Sequence, residues 1–153
     1  MFDGNFRPQV EAKLKPVGHQ IKRTGITADH LTIAGLVMAV GAAVVISFGW
    51  WHLGLLFVVL TGVPDLLDGA VAKASGTAGP RGAFFDSVSD RVTDALLFGA
   101  IAINYSQNQP NWVWLPVAVL ASASWVSYIR AKAESLGFDA SGGMVERAER
   151  FII

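Results

Sequence analysis

Asp65, Asp68, Asp86, Asp90 and Asp94 are the residues whose type and spacing can do chemistry, and they fall inside or beside segments that are otherwise strongly apolar. On a helix, Asp65, Asp68, Gly69 and Ala72 stand at i, i+3, i+4 and i+7, so two carboxylates and two small residues share one face. Gly82, Asp86, Asp90 and Asp94 stand at i, i+4, i+8 and i+12, which is again one face. Two neighbouring antiparallel helices joined by a short loop would aim four or five of these carboxylates at a common spot. An acidic side chain at the centre of a helix in lipid costs about 2.5 to 3.5 kcal/mol, so a cluster of them needs compensating positive charge. Lys73, Arg81 and Arg91 are the cations nearby, too few to balance five aspartates and also hold an anionic ligand. Hard oxygen ligands in this number suit Mg²⁺ or Mn²⁺, and a two-metal site about 3.5 to 4 Å across would fit them. The small residues beside the carboxylates let a ligand come close to the backbone. Two other readings stand beside this one. The aspartates could be structural partners of Lys73, Arg81 and Arg91, or they could line the ion path of a small transporter. An ion path is disfavoured because Leu31 to Trp50 and Ala95 to Ile129 hold no charged residue to extend it.

The elements that must position these carboxylates read as membrane spans. The chain has 153 residues, 52% of them hydrophobic and 16% charged, which marks one integral membrane domain over residues 1–153. Its formal net charge is zero, so nothing points to nucleic acid as a partner. It has no cysteine, which removes disulfides, thiolate metal sites and cysteine nucleophiles together. No apolar run precedes residue 31, so the N-terminus lacks the form of a cleaved signal peptide.

Residues 7–24 set Val10, Leu14, Val17 and Ile21 at i, i+4, i+7 and i+11 among Arg7, Lys13, Lys15, Lys22 and Arg23. That pattern predicts a short amphipathic helix lying at the headgroup level; a solvated linker helix is the plainer alternative. Gly25 ends it, and Thr27 or Asp29 can cap the helix that follows. Four spans are expected at about 31–50, 53–73, 83–104 and 112–134, with a loop at 75–82 and the start of a fifth helix in VERAERFII. The fifth helix stops after three apolar residues, which reads as a truncation of the domain at Ile153; a protein that truly ended there is expected to leave its cavity open and to show no turnover. The fold class is therefore an all-α polytopic transmembrane helix bundle. Lys and Arg occupy the N-terminal segment, the 75–82 loop and the region from Arg130 onward, whereas the turns at 50–53 and 105–111 have none. The positive-inside rule then makes the N-terminus and the aspartates cytoplasmic, in the plasma membrane, with Trp50, Trp51, Tyr105, Trp112 and Trp114 as aromatic clusters on the far side.

The spacing Asp65-x2-Asp68-Gly69-x2-Ala72-Lys73-x8-Gly82-x3-Asp86-x3-Asp90 resembles the signature of the CDP-alcohol phosphatidyltransferases, membrane enzymes that use a CDP-linked lipid. GITADHLTIAGL is similar to the family's leading segment, and RAKAESLGFDASGGMVERAER resembles the actinobacterial phosphatidylinositol phosphate synthases. Lys73 departs from the family's usual arginine: it keeps the charge and loses the planar fork, so a point-charge phosphate contact survives and a bidentate one does not. The resemblance implies a six-span fold working as a homodimer, with CDP-diacylglycerol as donor and a phosphorylated polyol as acceptor. Inositol 1-phosphate is the implied acceptor, with glycerol 3-phosphate, as in phosphatidylglycerophosphate synthases, the alternative. It also implies Asp65, Asp68, Asp86 and Asp90 as metal ligands, Asp90 acting in addition as general base. Asp68, Gly69, Ala72, Lys73 and Gly82 would contact the CDP-lipid. Arg130, Lys132, Arg147 and Arg150 would hold the acceptor phosphate, although ordinary positive-inside anchoring accounts for such cations equally well. Asp94 lies outside the signature and can pair with Arg91.

Overall fold

The structure is a computed structural model and describes Leu14 and residues 16–138. Every element among them is helical: α1 (residues 16–23), α2 (Ala28–Ser47), α3 (Trp51–Ser75), α4 (Pro80–Asn108), a single 3-10 turn (Pro110–Trp112) and α5 (Trp114–Ser135). Val10, Lys13 and the predicted fifth helix lie outside the described residues.

Local chemistry sets the boundaries. Thr27 caps α2 through a reciprocal pair of bonds, its hydroxyl accepting from the His30 amide and its own amide donating to His30 Nδ1, both 3.3 Å. Gly76 ends α3 in the left-handed conformation at φ 70°, where a side chain would be strained, and its amide returns to Lys73 O. Pro80 stands at the start of α4, where its missing N–H costs nothing. The predicted 75–82 loop is thus shorter than expected, because Arg81 and Gly82 already belong to the first turn of α4.

α2 is the centre of the bundle and packs against both α3 and α4, while α5 packs on α4. Its buried positions Gly35, Ala39, Ala42 and Ile46 form one stripe of mostly small residues. A Cβ on Gly41 would lie 2.8 Å from the Phe57 ring, and one on Gly54 would lie 2.5 Å from Ile46. Small residues allow such close approach, which matters because helices in lipid associate through packing and polar contacts. α3 and α4 barely touch along their lengths, since α2 stands between them, and this corrects the expectation of two neighbouring helices.

Contacts at the two ends fix the directions. Asp29 of α2 meets Arg81 of α4 at 3.1 Å, and Asn104 Nδ2 of α4 donates to Ser47 O of α2 at 3.4 Å. α2 and α4 therefore run parallel, with α3 antiparallel to both. On α1, Gly18 rather than Val17 faces the bundle: Gly18 is buried where a Cβ would lie 2.7 Å from Ala70 O, and Val17 is exposed. Leu14 and Ile21 of the expected stripe are half-buried.

α2, α3 and the stretch Pro110–Ser135 are long and apolar enough to cross a membrane, and large apolar side chains such as Val37, Leu55, Leu56 and Val117 stand on the outside of the bundle. α4 is the longest helix at 29 residues, about 43 Å at 1.5 Å per residue. Its first half carries Arg81, Asp86, Asp90, Arg91 and Asp94, which keeps it from qualifying by composition.

Candidate metal centre

The carboxylates gather where α3 ends and α4 begins. One oxygen from each of Asp65, Asp68 and Asp86 lies within 4.8 Å of the others, although their helices hardly pack together. Helical periodicity accounts for the first two, which are one turn apart on α3; the third comes from the other side of the turn at Gly76 to Gly79. Asp68 is 8% exposed, Asp86 is half-buried and Asp65 is exposed. Three hard oxygen donors converging on one point, one of them already withdrawn from solvent, fit a divalent cation of the Mg²⁺ or Mn²⁺ kind.

Asp68 has a partner that the spacing of acidic residues could not identify. Thr32 of α2 donates its hydroxyl to Asp68 Oδ2 at 2.9 Å, and the same hydroxyl is 3.1 Å from Ala28 O. The bond holds one oxygen of the Asp68 carboxylate and so restrains the side chain. The available signal was a lone hydroxyl one turn into an otherwise apolar span. Asp29, which the sequence marks only as a possible cap, joins the starts of α2 and α4 through its contact with Arg81.

The remaining sequence candidates divide. Around Gly69 and Gly82 a Cβ would meet nothing within 4 Å, so both border open space at the carboxylate end. Ala72 is half-buried, and Lys73 is exposed in the last turn of α3. Asp90 is one turn past Asp86 on α4, outside the three-carboxylate group, and its Oδ2 is 3.9 Å from Arg91 Nη2. Asp94 is 4% exposed and pairs with Arg91 at 3.0 Å. On α5, Arg130 pairs with Glu134 at 3.0 Å and Lys132 is exposed, both at the carboxylate end of the bundle. Arg147 and Arg150 lie outside the described residues.

The model of the family described as CDP-alcohol phosphatidyltransferase matches residues 25–153. A phosphatidylinositol phosphate synthase of Streptomyces avermitilis is 38% identical over 144 residues, covering 92% of this chain and 59% of the relative. The chain thus spans less than two thirds of that relative's length. Two crystal structures of the Mycobacterium tuberculosis phosphatidylinositol phosphate synthase are similar at 30% identity. The one with CDP-DAG bound gives a TM-score of 0.80, covering 91% of this chain and 71% of that one. The one in complex with manganese and citrate gives 0.81, covering 91% and 68%.

Proposed function

The chain belongs to the CDP-alcohol phosphatidyltransferase family, and from that premise we propose that it moves the phosphatidyl group of CDP-diacylglycerol to inositol 1-phosphate, releasing CMP. The observation that carries this reading is the convergence of Asp65, Asp68 and Asp86 within 4.8 Å beside the open Gly69 and Gly82. The relatives named for the phosphatidylinositol phosphate product support the choice of acceptor.

In this reading Asp65, Asp68 and Asp86, joined by Asp90, hold two ions of the Mg²⁺ or Mn²⁺ kind, and the mycobacterial relative's manganese supports the metal class. Bound there, the ions would supply charge stabilisation to the pyrophosphate and to the departing CMP. Gly69, Ala72 and Gly82 admit the nucleotide end of the donor, and Lys73 contributes a point charge to its phosphates. Asp90 accepts the proton of the acceptor hydroxyl as its oxygen bonds to the lipid-side phosphorus and the bond from that phosphorus to CMP breaks. Arg130, Lys132, Arg147 and Arg150 hold the acceptor's phosphate. The bundle sits in the plasma membrane with this end cytoplasmic, and a homodimer is its working form.

The test is CMP release from CDP-diacylglycerol by reconstituted protein, with inositol 1-phosphate, glycerol 3-phosphate, serine and inositol run in parallel. Release with inositol 1-phosphate alone, abolished by EDTA and restored by Mg²⁺ or Mn²⁺, is expected. Release that follows glycerol 3-phosphate instead would move the acceptor, and release that persists without divalent metal would overturn the site.

A further inference from the structure

We propose that Arg91 is a positioning residue that fixes the register of α5 against α4, and with it the distance between the aspartates and the acceptor-binding cations; this rests on the reading above. The guanidinium is shared among three groups. Nη2 is 3.0 Å from Asp94 Oδ2 and 3.9 Å from Asp90 Oδ2, while Nη1 donates to Ser127 Oγ on α5. Ser127 Oγ donates to Ala123 O at 3.0 Å, so its lone pair is what remains for Arg91, and the donor and acceptor assignments are consistent.

The need for such a tie follows from how α5 packs. Pro116, near its far end, is the only buried residue of α5 among those described. Trp125, Tyr128 and Ile129 around Ser127 are all more than 60% exposed. Among the described residues apolar burial thus does little to hold the second half of this helix in place, and helices in lipid associate through packing and polar contacts. A charge-assisted bond between half-buried groups is directional and does what packing here does not. Its position matters because Arg130 and Lys132 follow Ser127 by three and five residues, about 4.5 and 7.5 Å along the axis at 1.5 Å per residue. Asp90, the proposed base, precedes Arg91 directly. One side chain thus joins the element that would take the acceptor's proton to the element that would hold its phosphate. Asp94, buried and paired, orients the fork.

Arg91→Lys keeps the charge and loses the ability to serve Asp94 and Ser127 with separate nitrogens. In the reconstituted protein it is expected to raise KM for inositol 1-phosphate about tenfold or more while KM for CDP-diacylglycerol stays within about twofold. Ser127→Ala should give the same split, and the double variant should be no worse than the more affected single one. Equal losses in both KM values, or additive effects, would overturn the proposal. A readout independent of turnover is available because the chain has no cysteine. Spin labels at Val88→Cys on α4 and Ile129→Cys on α5 should give one narrow distance that broadens or shifts with Arg91→Lys, and an unchanged distance would overturn the register argument. Absence of CMP release by the unaltered protein would instead remove the enzymatic reading, with the spin-label result still deciding whether Arg91 sets the register.

Discussion

At the scale of single residues, each carboxylate is distinguished by its partners. Asp90 lies one turn past Asp86 and 3.9 Å from Arg91 Nη2, and in the proposed reading it takes the acceptor's proton. Asp90→Asn is therefore expected to retain CDP-lipid binding and to lose roughly 10²- to 10⁴-fold in transfer rate, the usual contribution of a general base. Nucleotide-lipid binding and single-turnover CMP release measured on the same preparation check this, and a near-normal rate would remove Asp90 from the role. Thr32 acts one step further out, through the bond to Asp68 Oδ2. Thr32→Val keeps the shape and removes the donor, and losing a hydrogen bond to a metal-binding carboxylate weakens metal affinity by about 10- to 100-fold. Mn²⁺ titration followed by electron paramagnetic resonance reads that shift directly. The ion pair of Asp29 and Arg81 is exposed and contributes little stability, so its interest lies in where it ties the two helix starts.

At the scale of elements, the small-residue contacts of α2 decide how close its neighbours come. Gly54 faces Ile46 where a Cβ would already be 2.5 Å away. Gly54→Leu overpacks this contact and should destabilise the bundle by about 1 to 3 kcal/mol. A lowered midpoint of thermal unfolding in detergent checks it, with Gly62→Leu as the control because nothing lies within 4 Å of a Cβ there. The same close packing lets α2 stand between α3 and α4 along most of their length, while the tight connection from Gly76 to Gly79 brings Asp86 back to Asp65 and Asp68. Pro64 lies inside the continuous helix α3, against Gly35 of α2 and next to Asp65.

At the scale of the whole molecule, the carboxylate site, Lys73, Arg81, Arg130 and Lys132 all belong to one end of the bundle, while the tryptophans at 50, 51, 112 and 114 belong to the other. That division supports a cytoplasmic site and predicts that Thr77→Cys reacts with an impermeant maleimide only from the cytoplasmic side, and Gln107→Cys only from the opposite side. Reversed labelling would invert the orientation. The sequence by itself determined the all-helical class, the limits of α2, α3 and α5 to within a few residues, and the pairing of Asp65 with Asp68. These follow from hydropathy, caps and the helical period, all of which are local. The resemblance carried by the aspartate spacing pointed to the family that the comparisons then gave. Only the tertiary structure decided that α2 separates α3 from α4, that Thr32 serves Asp68, and that Arg91 reaches Ser127 on α5. Those contacts join residues 36 positions apart. A helical period fixes which face a side chain lies on but leaves the rotation of one helix against another to packing, and packing is a property of the assembled bundle.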